Sequence, residues 1–216
     1  PNLRTVTDTE SKLSIAGGVL SFAGGKASPA WGDPGLWYPA QTRLAGRIAL
    51  AVITESQANL IGGMLGWFNT QVGGAGSYDE ASLVFRNDGT LQANNTALAV
   101  TVTAYSASTA YQLALVLRGT GAFAFVRGGA FANYTLLFIF DNLNSATLYP
   151  GIVTYAGALT ADNLRIPQQL WLPAPIASDS FTRANGALGS TDGLTGEKNG
   201  GAGLTWNFDA GVATIA

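Results

Sequence analysis

Apolar and polar positions alternate with a period of two along much of this chain, the pattern of strands that bury one face. Arg47-Ile48-Ala49-Leu50-Ala51-Val52-Ile53-Thr54 shows it, and so do residues 98–103, 111–118, 122–127 and 134–140, each bounded by Gly, Asn or Ser. Between two short strand patterns, 82–92 carries Asp88-Gly89, the chemistry of a tight hairpin, because glycine accepts positive φ. Thr120-Gly121 and Gly128-Gly129 make similar joints, so 111–118, 122–127 and 134–140 are expected to run as an antiparallel meander. No long segment has the helical period, and 55–65 has room for one helical turn or two. These elements predict an all-β sandwich.

The hairpin pattern near the start recurs at the end. Ser14-Ile15-Ala16-Gly17-Gly18-Val19-Leu20-Ser21-Phe22-Ala23 aligns without a gap on Asn207-Phe208-Asp209-Ala210-Gly211-Val212-Ala213-Thr214-Ile215-Ala216, an offset of 193 residues from Gly18 to Gly211. Pro167, Pro173 and Pro175 surround Gln168-Gln169-Leu170-Trp171-Leu172, a stretch whose fixed φ angles and missing donors suit an extended connector. Hence the expected organisation is a sandwich domain over 1–166, a Pro-rich connector over 167–178 and a C-terminal β segment over 179–216.

That segment opens with Asp179-Ser180-Phe181-Thr182-Arg183-Ala184-Asn185-Gly186-Ala187-Leu188-Gly189-Ser190, continues through Trp206 and ends on Gly211-Val212-Ala213-Thr214-Ile215. In this it resembles the opening strands of concanavalin A-like (laminin G-like) jelly-roll modules of bacterial and phage surface proteins. Residues 46–54, 82–92 and 111–117 are similar to the later strands of the same fold. The resemblance implies an antiparallel two-sheet jelly-roll sandwich with an extended C-terminal β tail. It covers sugar binders, glycosidases and structural or adhesive modules alike, so it does not choose a function. In one respect the chain departs from the family: the Phe-Thr-Arg strand expected before the 13–22 hairpin stands only at 181–183. Residues 1 to about 193 thus read as one period of an array cut out of phase, either a unit of a tandem polypeptide or a subunit whose tail completes the next.

Composition narrows the function. Only 11% of the 216 residues are charged against a usual quarter, so either other subunits cover much of the surface or Ser, Thr, Asn and Gln keep it soluble. With a net charge of −2 and its few Arg and Lys scattered, the chain has no basic stripe for a phosphate backbone, and nucleic acid is excluded as a partner. Tyr134-Thr135-Leu136-Leu137-Phe138-Ile139-Phe140, the longest strongly apolar run, is far short of the roughly 20 residues that span a bilayer, so no membrane insertion is expected. A signal peptide is not visible in the sequence.

With neither Cys nor His, the chain cannot build Ser-His-Asp or Cys-His nucleophile systems, and most zinc sites are closed to it. Glycosidases need two acids about 5 to 9 Å apart across one bond. Here Asp79 and Glu80 are adjacent, and Asp8 and Glu10 sit in a Thr-rich start; both pairs read as solvated loops. Asp33, Asp88, Asp141, Asn142 and Asp162 lack a calcium-ligand spacing. The expectation is a protein that is not an enzyme and has no cofactor and no metal.

Two functions from different classes remain. One is a structural subunit of an extracellular filament or phage tail appendage, joined to itself head to tail through Phe181, Trp206, Phe208, Val212 and Ile215, which lend the tail the apolar alternation of a donated strand. The other is a carbohydrate-binding adhesin module for a cell-surface glycan, using Trp31, Trp37 and Tyr38 of the Gly/Pro-rich segment 29–39 as a stacking platform. Burial of those rings as anchors of a loop or subunit contact is the competing account. Either function places the protein outside the cell or on a virion surface.

Overall fold

Alternation at Ala49, Ala51 and Ile53 against Ile48, Leu50 and Val52 makes β6 (Arg47–Glu55) a strand with one fully buried face, and it lies at the centre of one of two sheets. The computed structural model describes residues 5–71, 79–169, 186–187, 206–209 and 212–215. It divides into two compact units, Pro1–Leu170 and Trp171–Ala216.

In the first unit, one sheet runs in the order β13 (Phe131–Phe140), β12 (Gly121–Gly128), β11 (Ala110–Arg118), β6, β15 (Leu159–Gln169), β3 (Val19–Phe22) and β2 (Leu13–Ala16). The facing sheet runs β1 (Thr5–Thr7), β4 (Gly35–Trp37), β14 (Thr147–Thr154), β7 (Gly63–Phe68), β8 (Asp79–Phe85), β9 (Thr90–Asn94) and β10 (Ala99–Ala104), with β5 (Gln41–Thr42) also on β14. Every pairing is antiparallel. The expected meander is β11-β12-β13, with Arg118 opposite Gly121 and Gly128 opposite Phe131 at its two corners. The 82–92 hairpin joins β8 to β9; Gly89 takes φ 73° and Asp88 Oδ1 accepts from Thr90 N and Oγ1. Residues 56–62 hold no helical turn and lead as a loop into β7. β15 continues through Pro167 to Gln169, and Pro167 falls in the second of two register shifts against β6, where a residue without an N–H is tolerated.

Between the sheets lies a core of Leu65, Trp67, Leu83, Phe85 and Leu91 facing Ala49, Ile53, Leu113, Leu115, Leu117 and Ala124, all at most 1% exposed. Trp67 crosses the gap, its Nε1–H donating to Leu115 O at 3.1 Å. Leu115 is flanked in register by Ala49 and Ala124, small side chains that leave the indole room to reach the backbone.

The other face of the β6 sheet explains part of the low charge. Ile48, Val116, Phe123 and Ile139 form one cross-strand row, and Leu50, Ala114, Phe125 and Leu136 form the next. Leu136 and Ile139 are 44% and 39% exposed, and Arg118 lies 4.6 Å over the Phe123 ring.

Candidate functional site

The Gly/Pro-rich segment before β4 folds onto the outer side of the β4-β14-β7 sheet. Trp37 lies there against two glycines: a Cβ on Gly35 would meet its ring at 2.5 Å, and one on Gly151, its register partner on β14, would meet it at 2.8 Å. Because those positions have no side chain, the indole lies down on the sheet and joins Met64, Phe68, Val84 and Val153 in a small buried cluster. Tyr38 turns the opposite way into the main core, its N–H bonded to Pro150 O at 2.9 Å. It also lines a cavity of about 290 Å³ with Ile15, Gly18, Leu20, Asp162 and Asn163. Trp37 and Tyr38 are 1% and 3% exposed, so the expected three-ring platform is corrected: two of its rings are buried and offer no face to a sugar.

Trp31 alone of the three stays half-buried at the surface, in a turn closed by the Ala30–Asp33 bridge. Its ring centroid lies 5.3 Å from that of Tyr155, with the planes tilted by 47°. Tyr149, half-buried on β14, packs on the same cluster as Trp31. Tyr149 and Tyr155 were missed in the sequence because β14 was not read as a strand. Their even spacing, six residues apart across Pro150-Gly151-Ile152-Val153-Thr154, was the available signal. Trp31 and Tyr155 pair apolar rings with polar tips at the surface, the chemistry that suits the C–H face and hydroxyl edge of a sugar, whereas Tyr149 lies about 20 Å away towards the other end of the strand.

The turn is held by Asp33, whose Oδ1 accepts from Thr9 N at 3.0 Å and Oδ2 from Thr9 Oγ1 at 2.6 Å, with Lys26 Nζ at 3.4 Å. Burial pushes its carboxyl up, but the Thr9 hydrogen bonds and Lys26 outweigh that and hold it below its ordinary value.

Of the acids expected in solvated loops, Glu10 is exposed in a turn, but Glu80 lies on β8 and is buried. Glu80 is 2% exposed, and its two oxygens accept from Asn144 N at 2.6 Å and Ser145 Oγ at 2.7 Å, fastening the 141–146 loop to β8. Asp8 accepts from the backbone of Lys12 and Leu13, and Glu10 from Ala27 N. Glu80→Ala is expected to lower stability by about 1–3 kcal/mol, since two donors lose a charged acceptor. Hydrogen exchange checks this: the slowest core amides should accelerate by the loss in global stability, and the Asn144 amide by more than that.

Glu55, at the end of β6, is 1% exposed. Its Oε2 accepts from Gly63 N at 3.1 Å, and its Oε1 finds no partner among the described residues. Burial pushes this carboxyl up to about 7, against the smaller pull of the Gly63, Gln57 and Ser56 amides. It is walled in by Gly62 and Gly157, where a Cβ would come within 2.0 Å and 2.6 Å of its oxygens. No substrate could reach it there. Among the described residues no three of His, Cys, Asp and Glu come together to hold a metal.

The second unit has a three-stranded sheet of β16 (Gly186–Ala187), β17 (Trp206–Asp209) and β18 (Val212–Ile215). Of the expected joining residues, Phe181 lies outside the described residues. Trp206 pairs with Ile215, Phe208 with Ala213 and Asp209 with Val212, so Val212 is out of step with Trp206 and Phe208. β17–β18 repeats β2–β3 pair for pair. Leu13↔Phe22, Ser14↔Ser21, Ile15↔Leu20 and Ala16↔Val19 become Trp206↔Ile215, Asn207↔Thr214, Phe208↔Ala213 and Asp209↔Val212 at the same offset of 193 residues.

With two antiparallel sheets packed face to face, the first unit is the expected all-β two-sheet sandwich. Among solved structures, the chain is similar to the carbohydrate-binding module CBM66 from Bacillus subtilis, with a TM-score of 0.52 and 9% identity over 74% of this chain and 92% of that one. It is also similar to a sialidase, with a TM-score of 0.53 and 10% identity over 73% of this chain but only 16% of that one. At such identities the likeness is one of fold. No protein-family model and no curated protein sequence matches the chain.

Proposed function

We propose that the chain is a non-catalytic carbohydrate-binding module of a surface-exposed or secreted assembly. Trp31 and Tyr155 would stack on the sugar. The observation that carries this reading is the likeness to a carbohydrate-binding module along 92% of that module's length. The surface rings beside β14 supply a place for a ligand. A glycan array with the purified chain tests it. At least one glycan class should be retained, and Trp31→Ala or Tyr155→Ala should weaken its binding about tenfold, the loss of one stacked ring. Trp37→Ala should instead lower stability. An empty array, or binding indifferent to Trp31 and Tyr155, would sink the reading.

A second reading has its own support. The repeated hairpin register favours a serial structural array, such as a filament or phage tail appendage joined end to end. No helix among the described residues is long and apolar enough to cross a membrane.

A further inference from the structure

At the margin of its sheet, β2 has no strand on its outer side among the described residues. Its Ile15 is 65% exposed, and the strand carries none of the charges or prolines that usually protect an edge. The matching hairpin carries a strand on the equivalent side. β17, the counterpart of β2, has β16 on that side, with Gly186 opposite Phe208 and Ala187 opposite Asn207. Shifted by the same offset of 193 residues, Phe208 becomes Ile15 and Asn207 becomes Ser14.

We propose that the outer edge of β2 receives the Gly186–Ala187 strand of a second copy of this chain, antiparallel, with Gly186 opposite Ile15 and Ala187 opposite Ser14. The inference rests on the serial reading above and names its joint.

Three observations carry it beyond the alignment. The small-against-large pairing is kept, since Gly186 faces Phe208 in its own unit and would face Ile15 in the other. Neither Leu13-Ser14-Ile15-Ala16 nor Ala184-Asn185-Gly186-Ala187-Leu188-Gly189-Ser190 contains a charge, so nothing in the joint repels. A three-stranded sheet is close to the minimum that holds together, whereas the sheet bearing β2 has seven strands and a core. Exchanging β17 for β2 keeps the same hydrogen-bond register and moves the strand onto the better-supported edge. The other margin, β13, has no counterpart in the tail and so no such donor.

The chain lacks cysteine, so introduced thiols report the pairing alone. Ser14→Cys chains are mixed with Ala187→Cys chains and oxidised. A mixed disulfide of twice the chain mass is expected, about tenfold above a mixture of Ile15→Cys with Ala187→Cys, because a one-residue slip turns the thiol to the other face. Each variant oxidised alone gives the background, and circular dichroism confirms the β fold of each. Gly186→Pro, which removes an amide and leaves the sandwich untouched, should abolish association of the unmodified edge. Equal yields in the two mixtures, or association unchanged by Gly186→Pro, would overturn the joint. So would a disulfide that forms only within single Ser14→Cys/Ala187→Cys chains. Light scattering separates the two readings: a chain that associates without the mixed disulfide keeps the serial array and loses this joint, whereas a strict monomer loses both.

Discussion

Trp67→Ala is expected to lower the unfolding free energy by about 4–6 kcal/mol, enough to leave the chain near the limit of a domain stable by about 5–15 kcal/mol. The indole is fully buried between the sheets and is one of the largest side chains in the core. Removing a buried aromatic ring costs about 3–5 kcal/mol in lost transfer energy and residual cavity. The lost bond to Leu115 O adds about 1 kcal/mol. Collapse would not recover much, because Ala49 and Ala124 flank the site and have no side-chain length with which to fill it. A urea midpoint shifted by less than 1 kcal/mol equivalent would contradict the packing described.

Glu55 makes the second large effect, and it depends on pH. The folded carboxyl keeps its proton up to about 7, whereas its ordinary value is 4.5. Below pH 4.5 both states are protonated and the full stability is present. As pH rises from 4.5 to 7 the unfolded chain releases its proton first, so stability falls, and above 7 it levels off about 3 kcal/mol lower. Tyr105 lies close enough for the Glu55 charge, after burial, to help push its hydroxyl up to about 12, so it stays neutral throughout that window. Asp33 and Asp88, both held below the ordinary value of 3.8, act the other way and only at lower pH, losing their contribution as pH falls. Glu55→Gln is expected to flatten the decline between pH 5 and pH 8. Urea denaturation of both proteins at those two values decides it, and a parallel decline in the variant would refute the assignment.

The strands legible in the sequence were those with one face in the core. β6, β11 and β12 alternate cleanly, and the glycine corners of the meander follow from local turn chemistry. β7 and β14 escaped because Gly63–Phe68 is buried at every position and Thr147–Thr154 at most of them, which erases the period-two signal. The fate of Trp37 was equally hidden, since it depends on Gly151, far away in sequence. Exposure is a sound default for a carboxylate, and Glu80 and Glu55 break it only because backbone amides from distant or turning segments reach them. The hairpin repeat, by contrast, was legible to the residue, because a two-residue turn fixes the register of its strands.

The placement of β2 and β15 in their shared sheet gives the sandwich a mechanical direction. Leu13 lies at the end of the sheet shared by Phe22 and Leu159, whereas Gln169 lies at the opposite end beside Arg47. Traction between those two residues therefore drags β15 lengthwise past both of its neighbours, and its ladder bonds share the load instead of parting one by one. Opening then requires many bonds to fail together, a rare event that governs the rate of forced unfolding.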